Sequence, residues 1–295
     1  MRKHNLLLLL VALVGIMAGC TTIKPASEAL LPVAPPDSFS HDLFDKVLQR
    51  FVDENGRVDY TDLAGDATDL DRYYRLLATY SPDSHPQMFP TTADQLAYWI
   101  NAYNAATIKT VLNYYPIASV ADVRPPLIAL ILPDKSGFFL LQRQILGGRK
   151  ISLYGLENGI IRKRYVDPRY HFALNCASIS CPRLPAEAFE ASNLEMQLER
   201  ETRRFLSESR NFSIDHADQR IYLSAIFDWY EADFIRWTET RQPGTQGSLL
   251  AYIRPYLSED RQAELDAADG RYQIHFLPYD WGLNDVRQGQ SDGQG

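Results

Sequence analysis

The sequence predicts an α+β fold: one mostly helical domain with a small, largely antiparallel sheet. Three observations carry this. Residues 92–115 hold Leu96, Trp99, Ile100, Tyr103, Val111 and Tyr114 at helical spacing, a wide apolar stripe. Short apolar runs bounded by turn residues, at 211–223 and 272–277, predict brief strands rather than a large sheet. With 45% hydrophobic and 12% aromatic residues, the 295-residue chain can fill a packed core. The formal net charge of -7 argues against a nucleic-acid partner, whose binding surface would be basic.

The first 19 residues read as a signal peptide. Arg2-Lys3-His4 form a positive n-region and Leu6 to Gly15 an apolar h-region. Met17-Ala18-Gly19-Cys20 then resembles a bacterial lipobox, with Cys20 as the lipidated, palmitate-bearing mature N-terminus. The apolar run is shorter than the roughly 20 residues that span a bilayer, so an uncleaved anchor is disfavoured. Thr21 stands where an inner-membrane retention signal would place Asp, which points to an outer-membrane lipoprotein facing the periplasm. Residues 20–39, with Pro25, Pro32, Pro35 and Pro36, read as a tether. The globular domain is expected over 40–285 and a disordered tail over 286–295.

His41 to Phe51 has a helical period in Leu43, Phe44, Val47, Leu48 and Phe51. Asn55-Gly56 predicts a turn and Arg57 to Tyr60 a short strand. Leu70 to Tyr80 predicts a second helix, ended by Ser81-Pro82. The long helix opens on Thr92 and Gln95 at capping-box spacing and stops at Tyr115 before Pro116. Asn101 and Asn104 share one of its faces. They either tie down loops or orient a site residue.

Residues 117–150 predict two short strands and a loop, with an apolar run at Leu127 to Leu132 and a Gly147-Gly148 turn. Ser152 can cap a helix bearing Leu153, Leu156, Glu157, Ile160 and Ile161. Arg162-Lys163-Arg164 reads as its solvated end. Further along, helices are expected over Glu187 to Leu206, Phe227 to Trp237 and Leu249 to Leu257, with a hairpin around Asp215 to Gln219. Tyr272, Ile274 and Phe276 alternate as a last strand, and Tyr279 to Asn284 closes the domain.

The reactive chemistry is concentrated in Tyr170 to Pro182. His171, Cys176 and Cys181 lie there, and these are the only cysteines besides Cys20. Residues 170–174 read as a buried strand and 175–178 as the turn leaving it. Three readings stay open. Cys176 is a nucleophile and His171 its base, with Glu157, Asn101 or Asn104 holding the imidazole. Alternatively, Cys176 and Cys181 form a structural or redox disulfide, which an oxidising compartment allows. In the third, His171, Cys176 and Cys181 bind zinc and leave an open position, with the distant His275 the best candidate for a fourth ligand, although the spacing fits no common motif. The nucleophile reading needs no cofactor and no resident metal.

Several separated motifs carry a resemblance. They are Ala97-Tyr98-Trp99-Ile100-Asn101-Ala102-Tyr103-Asn104-Ala105, Tyr115-Pro116, Leu156-Glu157, His171 to Ser178 with Cys181-Pro182, and Asp280-Trp281 with Leu283-Asn284. In this order they resemble the DUF547 family over roughly residues 40–285. The resemblance implies a secreted or lipid-anchored protein of unknown function. It also favours Cys176 over Cys181 as the functional thiol. The expectation that follows is an envelope lipoprotein, either a thiol-dependent hydrolase or acyltransferase, or a non-enzymatic binding or assembly protein.

Overall fold

The computed structural model describes residues 20–24, 38–125, 135–241, 243–244 and 246–287. The signal peptide, most of the tether, the Leu127 to Leu132 run and the tail from residue 288 lie outside the described residues.

The core is laid down around α4, Thr92–Tyr114. Every residue from Leu96 to Ile108 is buried, so this helix is enclosed on all sides rather than amphipathic. Its capping box sits one residue earlier than the spacing suggested. Thr91 accepts from the Asp94 backbone amide, and the Asp94 carboxylate accepts from that of Thr91. Before it come α1 (Asp42–Phe51), α2 (Tyr60–Gly65) and α3 (Thr68–Thr79). α1 packs on α3 and α3 on α4. The strand expected at 57–60 shrinks to bridges from Val58 to Val52 and Asp285. Asp59 ends it by capping α2, which makes Tyr60 helical.

Among the described residues there are two small three-stranded sheets, and both are mixed. In the first, β1 (Thr21–Thr22) runs parallel to β2 (Gln142–Leu146), which pairs antiparallel with β3 (Arg149–Ser152). Gly147 and Gly148 make the two-residue turn at φ 53° and 78°, the left-handed pair such hairpins require. In the second, β4 (Phe212–Asp215) and β5 (Arg220–Leu223) form the expected hairpin, and β6 (Gln273–Phe276) joins β5 in parallel. Ile274 and Phe276, which alternate along β6, are both exposed.

Short α5 (Ser136–Phe139) precedes β2, and α6 (Leu153–Leu156) follows β3. α6 widens into a π-helical turn at Glu157–Ile161 and ends as α7 (Arg162–Arg164). Such bulges often mark functional positions. α8 (Leu194–Ser207) begins later than expected, after irregular residues 187–193. The aromatic helix breaks at Tyr230 into α9 (Ala225–Trp229) and α10 (Glu231–Arg241). α11 (Leu249–Ile253) passes into a 3-10 turn at Arg254–Tyr256, where Pro255 ends the α-helical pattern. α12 (Glu259–Ala268) was not foreseen, being charged and weakly patterned.

The side chains form two hydrophobic clusters. One surrounds α4, and the other gathers Phe172, Phe205, Phe212, Phe227 of α9 and Phe234 of α10. The expected strand at 170–174 is instead a 3-10 turn, Pro168–Phe172, because Asp167 caps it and Pro168 takes its first position. This turn joins the two cores. Tyr170, Ala173 and Leu174 enter the first and Phe172 the second. His171 falls between them.

Candidate functional site

His171 is fixed by the second half of the chain. Its Nε2 meets Asp233 Oδ2 on α10 at 3.0 Å, and its ring stacks on Tyr230 at 3.9 Å between centroids. Only 1% of its side chain is exposed. Burial lowers its pKa to about 4, against the opposing pull of Asp233, so the imidazole is neutral near pH 7. Asp233 also accepts from Arg162 Nε at 2.8 Å. Burial alone would raise its carboxyl, but the bonds to His171 and Arg162 outweigh this and hold it well below the usual carboxylate range. Arg162 is thus a site residue, not the solvated helix end that its basic neighbours suggested. Its guanidinium also lies over the Tyr230 ring, 4.9 Å from the centroid.

Glu157 sits beside this group, on the π-helical turn. It accepts from the Tyr230 hydroxyl and makes a side-chain hydrogen bond with Tyr103. Its carboxyl is pushed above its ordinary value by burial, although these bonds and Arg162 pull the other way. Glu157 therefore reaches His171 only through the stacked Tyr230. The group that holds the imidazole is Asp233.

The two asparagines of α4 act on loops. Asn101 donates Nδ2 to Phe189 O at 2.8 Å and accepts from Phe189 N at 3.0 Å. Asn104 donates to Ala173 O at 2.9 Å and accepts from Asn175 N at 2.8 Å. Asn104 thereby clamps both sides of Leu174, just ahead of Cys176. Asn175 continues the chain of bonds, donating to Pro182 O at 2.8 Å and accepting from Ala177 N at 2.9 Å. Ala177 takes φ 62°, a left-handed conformation that costs a non-glycine residue about 1–2 kcal/mol. The C-terminal segment holds the loop from outside, with Ile179 N bonded to Gly282 O and Asn284 N to Ala177 O.

Within this frame Cys176 and Cys181 are joined as a disulfide, with Cα atoms 6.1 Å apart. The Cys176 amide donates to Cys181 Sγ at 2.7 Å. Cys176 Sγ lies 3.1 Å from the Tyr279 hydroxyl. Burial raises the Tyr279 phenol, so it stays protonated and able to donate to sulfur.

His171, Glu157, Arg162 and both cysteines line one cavity of about 690 Å³. That volume lies in the range of ligand pockets. Its other walls are largely aromatic, including Phe139, Tyr154, Trp229 and Trp281. Asn101, Asn104 and His275 are not among its lining residues. His275 is on β6 beside Tyr222. Among the described residues, no three His, Cys, Asp or Glu side chains gather as a metal site. No helix among the described residues is long and apolar enough to cross a membrane.

Asp233, Tyr230, Tyr279 and Trp229 were missed by sequence reasoning. Each lies dozens of residues from the Tyr170 to Pro182 stretch, with no short-range pattern to connect them.

The family model described as "Protein of unknown function, DUF547" matches residues 88–206. The matched span contains His171, Cys176, Cys181, Glu157 and Arg162, and stops short of Asp233 and Tyr279. No curated protein matches, and no solved structure matches.

Proposed function

We propose that this chain, which the DUF547 family model matches over residues 88–206, is an envelope lipoprotein whose reduced form hydrolyses or transfers acyl groups in the aromatic pocket. Cys176 is the nucleophile, His171 the base and Asp233 the group that orients it. The observation that carries this reading is that Cys176 and His171 line the same cavity while Asp233 holds Nε2 of His171, leaving Nδ1 for a proton. The signal-like first 19 residues and Cys20 support the lipid anchor and the periplasmic, outer-membrane location.

The disulfide is the resting state in this account. A dithiol donor supplies two electrons and leaves two thiols. Neutral His171 then takes the Cys176 proton, and Tyr279 donates a hydrogen bond to the thiolate. The thiolate attacks the acyl carbonyl, and the imidazolium returns its proton to the departing alcohol or amine. Water, activated by His171, cleaves the thioester in hydrolysis, and an acceptor hydroxyl does so in transfer. Opening the bridge also releases the Cys176 amide from Cys181 Sγ, freeing a donor for the oxyanion.

A second reading is favoured by the disulfide itself. In it the bridge is permanent, and the pocket binds a ligand without converting it. Cys181→Ser separates the two by leaving Cys176 as a thiol. The enzymatic account expects Cys181→Ser to accumulate an acyl adduct on Cys176 when mixed with activated acyl esters, read as an intact-mass increment. It expects no adduct in Cys176→Ala. A folded Cys181→Ser protein that forms no adduct and cleaves no ester would leave the binding reading.

A further inference from the structure

The residues after Cys20 are not a slack spacer. Thr21 N donates to Leu141 O at 3.1 Å, Ile23 N donates to Arg143 O at 2.8 Å, and Ile23 is buried in the main core. The Tyr74 hydroxyl also bonds Ile23 O. Any group attached to Cys20 therefore leaves the domain at a fixed point on its surface, beside β2. Leu140, the neighbour of Leu141, lines the pocket. Two Cα steps of about 3.8 Å and one strand spacing of about 4.8 Å put Cys20 within roughly 12 Å of the Leu140 backbone.

The pocket wall in this neighbourhood is suited to a bilayer surface. Tyr154 and Trp229 line the pocket and yet are 56% and 45% exposed. Trp281 carries Lys135 Nζ over its ring at 4.1 Å. Exposed Trp and Tyr with a nearby Lys are the residue types that settle at headgroup level, with apolar bodies inward and polar tips in water.

We propose that the pocket takes the hydrocarbon chain of a membrane amphiphile, drawn from the same leaflet that holds the Cys20 anchor. This rests on the acylation of Cys20 and narrows the acyl substrate to one presented by the membrane. Docking of β1 keeps the pocket rim against the bilayer.

The test uses the full-length, acylated protein in vesicles of phosphatidylethanolamine and phosphatidylglycerol, with phospholipids brominated in mid-chain. Intact mass first establishes the acyl groups on Cys20. Bromine then quenches tryptophan fluorescence severalfold more in the wild type than in the Trp229→Phe/Trp281→Phe variant, whose remaining tryptophans are Trp99, buried in the core, and Trp237, which is half-buried and does not line the pocket. A flexible Gly/Ser insertion between Cys20 and Thr21 loses most of the difference while keeping the same thermal melt. Equal quenching in the wild type and the double variant, with Cys20 acylated, would overturn the membrane-facing pocket and leave the thiol chemistry standing. An unacylated Cys20 would remove the premise and the proposal with it. Failure of the acyl-adduct experiment alone would not affect the quenching, which depends on position and not on reaction.

Discussion

Asp233 accepts from His171 Nε2 at 3.0 Å, across 62 residues of chain and between two hydrophobic cores. The same carboxylate oxygen takes Arg162 Nε, so one acidic side chain fixes a base from the 3-10 turn and a cation from α7. Asp233→Asn keeps the shape but leaves Arg162 and His171 without their anion. Losing a buried, charged hydrogen-bond partner costs about 1–3 kcal/mol. Urea unfolding is expected to show a loss of that size. Esterase activity of the reduced protein is expected to fall far more than binding of its substrate.

The buried histidines set an acid limit on stability. His41 and His171 both titrate near 4 in the folded chain, and burial is the main cause in each. In the unfolded chain they take up protons near pH 6.5. Between those values the unfolded state binds more protons, so stability rises with pH by about 1.4 kcal/mol per pH unit for each histidine. The slope is expected to drop on replacing either residue with Gln, as read by denaturant melts from pH 4 to 7.

Glu157 works in the opposite direction. Its raised pKa means that the unfolded chain loses the proton first, and stability falls as pH rises above the ordinary glutamate value. Glu157→Gln keeps an acceptor for the Tyr230 hydroxyl and carries no ionisation cost. Its thermal midpoint relative to wild type is expected to improve from pH 5 to pH 8.

Asn104 and Asn101 separate loop support from site support. Either replacement by Ala leaves two buried backbone groups unpaired, at about 1–3 kcal/mol each. Both variants should melt earlier. Only Asn104→Ala is expected to change how readily the Cys176–Cys181 bridge is reduced, because only Asn104 holds the Ala173–Asn175 backbone. Titration with a dithiol of known potential measures this.

The bridge itself closes a short loop. The chain-entropy model assigns such a loop about 2 kcal/mol. Cys181→Ser is expected to lose that amount and keep its circular dichroism spectrum, since Asn104, Asn175 and the Gly282–Asn284 segment still hold the turn.

Much of the fold was legible because it rests on local patterns. The periods of α1, α3 and α4, the Gly147-Gly148 turn and the 211–223 hairpin all follow from side chains close in sequence. Asp167-Pro168 carried the signal for the 3-10 turn, but the apolar residues after it read equally as a strand. At the site, His171, Cys176, Cys181 and Glu157 stood out by residue type and do line one pocket. Asp233 and Tyr279 did not stand out, because an aspartate or tyrosine is ordinary until tertiary packing brings it to an imidazole or a sulfur. Arg162 was hidden for a related reason. A basic triplet at a helix end reads as solvated until α10 covers one member of it.

The most direct measurement is the alkylation rate of Cys176 by iodoacetamide, followed against pH in Cys181→Ser and in Cys181→Ser/His171→Ala. With His171 neutral at pH 7, the account predicts that it takes the proton as the thiol reacts. Cys176 then alkylates at pH 7 severalfold faster in Cys181→Ser than in Cys181→Ser/His171→Ala. The two rates converge above about pH 8.5, the ordinary thiol value, where the thiolate forms without a base. Equal rates at pH 7 would contradict a thiol activated by His171 and leave the cysteine pair a structural bridge.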